Sequence, residues 1–147
     1  MCLNSSHCPR RRAAQLPAED FFGLMSRRLA GEGGFIAEGA LRERWRRQGR
    51  PPRELDELLG RDLLRGITRG SQRWLPVFQL HADGFTPRAD VAVIAEELAG
   101  GMDDAEILAW FACRNTALDG ETPIARLRAG LPSVLDAARL DRFIGSA

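Results

Sequence analysis

The apolar residues of this chain recur at helical spacing in short stretches, and a glycine or a proline ends each stretch. Phe21, Met25 and Leu29 repeat every four residues before Gly31. An amphipathic helix buries one apolar stripe, so short helices of this kind are stable only when they pack against one another. The pattern therefore predicts a mainly α-helical fold built from short helices.

The first half of the chain also carries the signals of a helix-turn-helix unit with a small β-hairpin wing. Residues 38–47 and 52–59 have helical patterns, and the prolines at 51 and 52 separate the two helices. Two short apolar runs, 63–67 and 72–75, flank a Gly-Ser turn and predict a hairpin. This order of elements is that of a winged helix-turn-helix or excisionase-like module.

The second half predicts a compact all-helical bundle of about four short helices. Asp103 and Glu106 have the spacing of a capping box at the start of one helix. Thr122 supplies an N-cap hydroxyl, and Pro123 occupies the first position of the next helix. Gly130 ends that helix, and the last helical pattern follows directly.

These patterns divide the chain into a disordered tail at 1–17, a winged helix-turn-helix-like unit at 18–80 and a helical domain at 81–147. The tail is polar and basic and lacks a period. No apolar run approaches the length of a membrane span, and no hydrophobic signal region follows Arg10–Arg12. The sequence therefore predicts a cytoplasmic protein that does not enter a membrane.

The two halves carry opposite charge. Residues 1–79 contain 15 arginines and 9 acidic residues, whereas residues 80–147 contain 6 and 11. A basic first half is expected to contact phosphate, and the alternative is a solvated face paired with Glu43 and Asp56. The second predicted helix carries Glu54, Asp56 and Glu57, which repel phosphate and argue against base reading by that helix. The predicted DNA contacts are Arg42, Arg46, Arg47, Arg50, Arg53, Arg69 and Arg73.

The sequence contains no set of residues that indicates an enzyme or a cofactor. It lacks a phosphate-binding glycine loop and a dinucleotide fingerprint. His81 stands alone beside a turn, and Cys2, His7 and Cys8 in the tail do not complete a four-ligand metal site. We therefore predict a non-enzymatic protein that binds neither a metal nor a cofactor.

An ordered set of residues precedes the helix at 134–138 in the second half. Its members are Trp110, Phe111, Asn115, Leu118, Gly120, Thr122, Pro123, Leu127 and Gly130. This set resembles the toxin-binding domain of the MbcA/ParS/Xre antitoxin family. Residues 40–45 and 74–79 resemble the degenerate helix-turn-helix that precedes this domain in some members.

The resemblance implies an antitoxin that neutralises a RES-domain toxin, an enzyme that degrades NAD, and that represses its own operon as a homodimer bound to operator DNA. It also implies that Leu118→Arg removes toxin binding without changing the helicity. Two alternatives remain open: a stand-alone DNA-binding regulator whose second half only dimerises, and an interaction module with a different partner. The implied toxin contacts are Trp110, Asn115, Leu118, Gly120, Thr122, Pro123, Arg142 and Phe143.

Overall fold

The computed structural model describes residues 13–146, with side chains described as far as residue 143. The described chain is mainly helical with a small three-stranded antiparallel sheet, which confirms the predicted helical class. None of its helices is both long and apolar enough to cross a membrane. The elements are α1 (Ala18–Arg28), β1 (Phe35–Ala37), α2 (Glu38–Arg47), α3 (Pro52–Gly60), β2 (Ile67–Arg69), β3 (Gln72–Pro76), α4 (Ala89–Ala99), α5 (Asp104–Ala112), α6 (Pro123–Arg126) and α7 (Leu131–Ser146).

The predicted helix starts of the second half are confirmed by their hydrogen bonds. The Asp103 carboxylate accepts from the Glu106 N–H at 2.8 Å, and the Glu106 carboxylate accepts in return from the Asp103 N–H. The Thr122 hydroxyl accepts from the Ala125 N–H at 3.2 Å. These bonds satisfy N–H groups that a helix leaves free in its first turn. Both helices therefore begin directly after their N-cap residues, Asp103 and Thr122.

The sheet has the strand order β1-β3-β2, and both pairs are antiparallel. The predicted hairpin is present, but its first strand begins at Ile67 and excludes the buried Leu64. β1 was not predicted, because three residues are too few to show an alternating pattern. Ile36 of β1 lies opposite Leu75 of β3, so the added strand helps to cover the core beneath the hairpin.

The buried residues form two clusters. The smaller cluster joins β1, α2, α3 and β3 around residues such as Leu41, Trp45 and Leu55. The larger cluster contains α4–α7 and also the apolar side of α1, including Phe21 and Met25. α1, which the sequence assigns to the unit at 18–80, therefore packs with the helices of the second half.

The start of the ordered chain also differs from the prediction. Ala13 is buried in the larger cluster, so the folded part begins before Ala18. Residues 1–12, with Cys2, His7 and Cys8, lie outside the described residues.

The connector at residues 81–87 is built around Asp83. Its carboxylate accepts hydrogen bonds from the N–H groups of Phe85 and Thr86 at 2.8 and 2.9 Å and from the Thr86 hydroxyl. These bonds lower the pKa of Asp83 from 3.8 to about 2. The turn also sets the Phe85 ring edge-on to Trp45, with ring centroids 5.4 Å apart.

We expect Asp83→Ala to destabilise the protein at neutral pH and to have a smaller effect in acid. The pKa of the folded state lies below that of the unfolded chain, so the contribution of the carboxylate is present above about pH 4 and is lost as pH falls towards about 2. Urea unfolding of both proteins at a series of pH values measures the difference. The asparagine of Asp83→Asn cannot ionise, so the difference in free energy of unfolding between Asp83→Asn and Asp83→Ala should not change with pH. A difference between wild type and Asp83→Ala that persists undiminished in acid would contradict the prediction.

Candidate partner-binding site

The loop between α5 and α6 is closed by its own hydrogen bonds. The Asn115 carbonyl oxygen accepts from the N–H groups of Leu118 and Gly120, both at 3.0 Å. The Asn115 N–H donates to the Glu121 carbonyl, and the side-chain oxygen of Asn115 accepts from the Ala117 N–H at 2.9 Å. Gly120 has a φ of 82°, a left-handed conformation that suits glycine. Asn115 is therefore the residue around which the loop folds.

One carboxylate oxygen ties this loop to two helices. The Trp110 indole Nε1 of α5 donates to Asp141 Oδ2 of α7 at 2.6 Å, and Asn115 Nδ2 donates to the same oxygen at 3.1 Å. Hydrogen bonds to a charged acceptor are stronger than neutral ones. Sequence reasoning missed Asp141, because a carboxylate among the charged residues of a terminal helix has the pattern of a solvated side chain.

The end of α7 is held on a second side by α4. The Arg142 guanidinium lies 3.2 Å from the Glu97 carboxylate. The same guanidinium covers Gly100, where a Cβ atom would come within 2.7 Å of Arg142 Nε. Contacts to α4 therefore fix the position of Arg142.

Two large apolar side chains at this end of α7 face solvent. Leu140 is 47% exposed and Phe143 is 75% exposed, the highest value among the large hydrophobic residues that the structure describes. The short turn Thr116–Leu118 packs on α7, and Ala117 and Gly120 are exposed. The ordered loop thus packs on the same helix whose end carries the exposed Leu140 and Phe143.

The structure separates the implied toxin contacts into internal and surface residues. Trp110 is 2% exposed and Leu118 is 1% exposed, and Asn115 and Pro123 are also buried. These four residues build the loop and its core and lie beneath the surface that the predicted contact requires. Thr122 is half-buried and caps α6.

The remaining implied contacts, Gly120, Arg142 and Phe143, lie at the surface. Sequence reasoning did not identify Ala117 and Leu140 as neighbours of this surface. A helical projection could have indicated Leu140, because it lies three residues before Phe143 and so on the same side of the helix.

Most of the arginines predicted to contact DNA are paired with carboxylates of the same chain. Arg46 and Arg47 lie 2.6 and 3.2 Å from Glu43, and these guanidiniums lower the pKa of Glu43 to about 2. Arg42 lies 2.8 Å from Asp56, which raises the pKa of Arg42. The basic charge of α2 is therefore compensated in part by Glu43 and by Asp56 of α3, the two carboxylates that the alternative interpretation named.

The arginines of the hairpin are also engaged. Arg69 lies 2.8 Å from Glu19 of α1, and its guanidinium stacks over the Phe22 ring at 4.6 Å. Arg73 of β3 lies 4.0 Å from Glu38. These contacts tie the hairpin to α1 and α2, so it does not stand free as a basic wing.

The last two predicted DNA contacts, Arg50 and Arg53, lie near α3, and Arg50 is 4.0 Å from the Glu54 carboxylate. Arg50 stacks on Trp45 and Phe85, with its guanidinium carbon 5.2 and 4.8 Å from the ring centroids. Arg53 is exposed and, among the residues that the structure describes, has no carboxylate partner. Three exposed carboxylates share α3 with Arg53, namely Glu54, Asp56 and Glu57.

Comparisons with known proteins add nothing to this geometry. No family model, no curated protein and no solved structure matches the chain. Within residues 13–146, no three His, Cys, Asp or Glu side chains form a group that could hold a metal ion.

Proposed function

We propose that this chain is an antitoxin-type protein that binds and neutralises a partner protein through the exposed end of α7 and the adjacent loop. The observation that carries the proposal is the 75% exposure of Phe143 on a helix end that Asp141 and Arg142 hold from two sides. An exposed aromatic side chain on a fixed support is the kind of residue that dominates binding energy at protein interfaces.

The resemblance of the second half to the MbcA/ParS/Xre family supports a RES-domain toxin as the partner. Neutralising an enzyme by covering its active site requires a complementary surface and no chemistry of the inhibitor's own. A toxin that consumes NAD acts in the cytoplasm, so the proposal places this protein there and requires no catalytic residue. The homodimer that the resemblance implies belongs to the same proposal.

Co-expression with the product of the neighbouring gene, which the proposal expects to be a RES-domain toxin, tests the proposal. The toxin alone should deplete cellular NAD and stop growth. Together with the wild-type chain, growth and NAD should recover, and the two proteins should co-purify. A toxin that is equally toxic with and without this chain would overturn the proposal.

A second candidate function, a DNA-binding regulator whose second half only dimerises, is favoured by the topology of the first half. Two consecutive helices, α2 and α3, are followed by the β2–β3 hairpin, and β1 pairs with β3. This order supports the proposal of a helix-turn-helix unit with a small wing. Against it stand the carboxylates of α3 and the ion pairs of the predicted contacts. Its strongest candidate contact is Arg53.

For this second function we expect binding to a promoter fragment that weakens steeply with salt. Arg53→Ala should lower the slope of log affinity against log salt by about 1, because each phosphate contact releases about one counterion. Electrophoretic mobility shifts over a salt series measure the slope. Arg128→Ala, which removes an exposed arginine of the second half, should leave it unchanged. Affinity that does not respond to salt would exclude this function.

A further inference from the structure

We infer that Asp141 is the positioning residue of the proposed partner-binding surface, since it holds the end of α7 in the rotation that presents Phe143 to solvent. The effect of Asp141 on partner binding rests on the proposed function. Its structural part can be tested without a partner. Neither the sequence patterns nor the family resemblance pointed to Asp141.

The helical geometry explains why anchoring one residue orients the other. Successive residues of an α-helix are separated by about 100°, so Phe143 projects about 200° from Asp141 and hence nearly opposite to it. Asp141 faces Trp110 and Asn115, both of which are buried. Holding Asp141 inward therefore turns Phe143 outward.

The anchor joins three separate parts of the chain through a single atom. Asp141 Oδ2 receives the Trp110 indole N–H from α5 and the Asn115 amide from the loop. Both donors belong to buried residues, where loss of the acceptor leaves polar groups unsatisfied. The same bonds hold the loop, with its exposed Ala117 and Gly120, against the side of α7 opposite to Phe143, so one carboxylate orders both the loop and the helix end.

Arg142 restrains the helix in a second direction. Its contact with Glu97 of α4 lies one residue beyond Asp141 and so points about 100° away around the helix. The two contacts therefore hold the end of the helix in the same rotation that the buried Val134, Ala137 and Ala138 give to its earlier turns. Phe143 and Leu140 occupy the part of the helix surface that neither contact covers.

Hydrogen exchange of the purified full-length chain tests this role directly. In Asp141→Ala, amide exchange over residues 137–143 should accelerate by about tenfold or more, because the lost bonds involve a charged group. Exchange in α1 should be unchanged. Asp141→Asn keeps an acceptor oxygen, so its exchange over these residues should be faster than in wild type and slower than in Asp141→Ala. Asp136→Ala removes an exposed carboxylate from the same helix and should behave as wild type.

A reciprocal exchange of donor and acceptor separates positioning from general stability. Asn115→Asp sets a second carboxylate against Asp141 and should accelerate exchange over the same residues. Combining Asn115→Asp with Asp141→Asn should restore protection, because the new amide at 141 can donate to the new carboxylate at 115 while its oxygen accepts from Trp110. Recovery in the double variant would establish this specific contact.

The outcomes distinguish this inference from the proposed function. Unchanged exchange in Asp141→Ala, or a double variant no better protected than the single variants, would overturn the positioning role. Failure of the wild-type chain to neutralise the toxin would overturn the proposed function and leave the exchange result standing. If both hold, Asp141→Ala should neutralise the toxin less well than Asp141→Asn.

Discussion

Leu118→Arg is expected to unfold the helical half of the protein rather than to block a contact at its surface. Leu118 is 1% exposed and belongs to the larger core cluster with Trp110 and Phe111. An arginine there must either bury an unpaired guanidinium or expel the loop from the core. Both outcomes belong to the small class of substitutions that cost about 4 kcal/mol or more.

A loss of this size is comparable to the whole stability of a small domain, which is about 5–15 kcal/mol. Thermal unfolding followed by circular dichroism should therefore show a much lower Tm or no cooperative transition. This differs from the expectation based on the sequence, in which the helicity survives. The difference arises because the family resemblance marks Leu118 as important without showing whether it faces the core or a partner.

Ala117→Arg is the matched control, because it places the same side chain one residue earlier on the exposed side of the same turn. Surface substitutions of this kind usually change stability by about 0.5 kcal/mol or less. If the loop forms part of the partner surface, Ala117→Arg should also weaken toxin binding in the folded protein. A folded Leu118→Arg with wild-type Tm would contradict the buried position of Leu118.

The features that could be predicted from the sequence are those fixed by residues close together in the chain. The Asp103–Glu106 capping box and the Thr122-Pro123 helix start both act within one turn, and both are present. The helices at Glu38–Arg47 and Pro52–Gly60 follow the predicted bounds to within one residue. Such signals need no knowledge of the tertiary fold.

The features that could not be predicted depend on contacts between distant segments. α1 has an amphipathic pattern, but the pattern does not say which core receives its apolar side. Asp141 and its donors lie 31 and 26 residues apart, so no local spacing marks them as partners. The partner site is therefore the part of the protein on which the structure changes the interpretation most.

The arginines show how an excess of charge can mislead. The count of 15 arginines in the first 79 residues favours a phosphate-binding face. Carboxylates three or four residues away, as with Glu43 beside Arg46 and Arg47, neutralise much of this charge locally. Paired guanidiniums attract phosphate less strongly than free ones, because the nearby carboxylate repels the same anion.

Phe143→Asp is expected to abolish toxin neutralisation while leaving the fold intact. The side chain is 75% exposed, so its replacement removes little buried surface, and Tm should change only slightly. At the interface, the change removes an aromatic anchor and places an unpaired carboxylate in a desolvated position. Aromatic hot spots of this kind cost about 2 kcal/mol or more, which corresponds to a loss of affinity of about thirtyfold or more.

The growth and NAD assay used for the wild-type chain measures the loss in cells, and isothermal titration calorimetry with an inactive toxin measures the Kd. Leu63→Asp is the matched control, because Leu63 is also exposed, at 40%, but follows α3 in the first half. It should neutralise the toxin as wild type does. If Leu63→Asp no longer neutralises the toxin and Phe143→Asp still does, the partner binds beside α3. That outcome would identify the first half as the part that contacts the toxin. The anchoring of α7 by Asp141 would then contribute to the fold and not to binding.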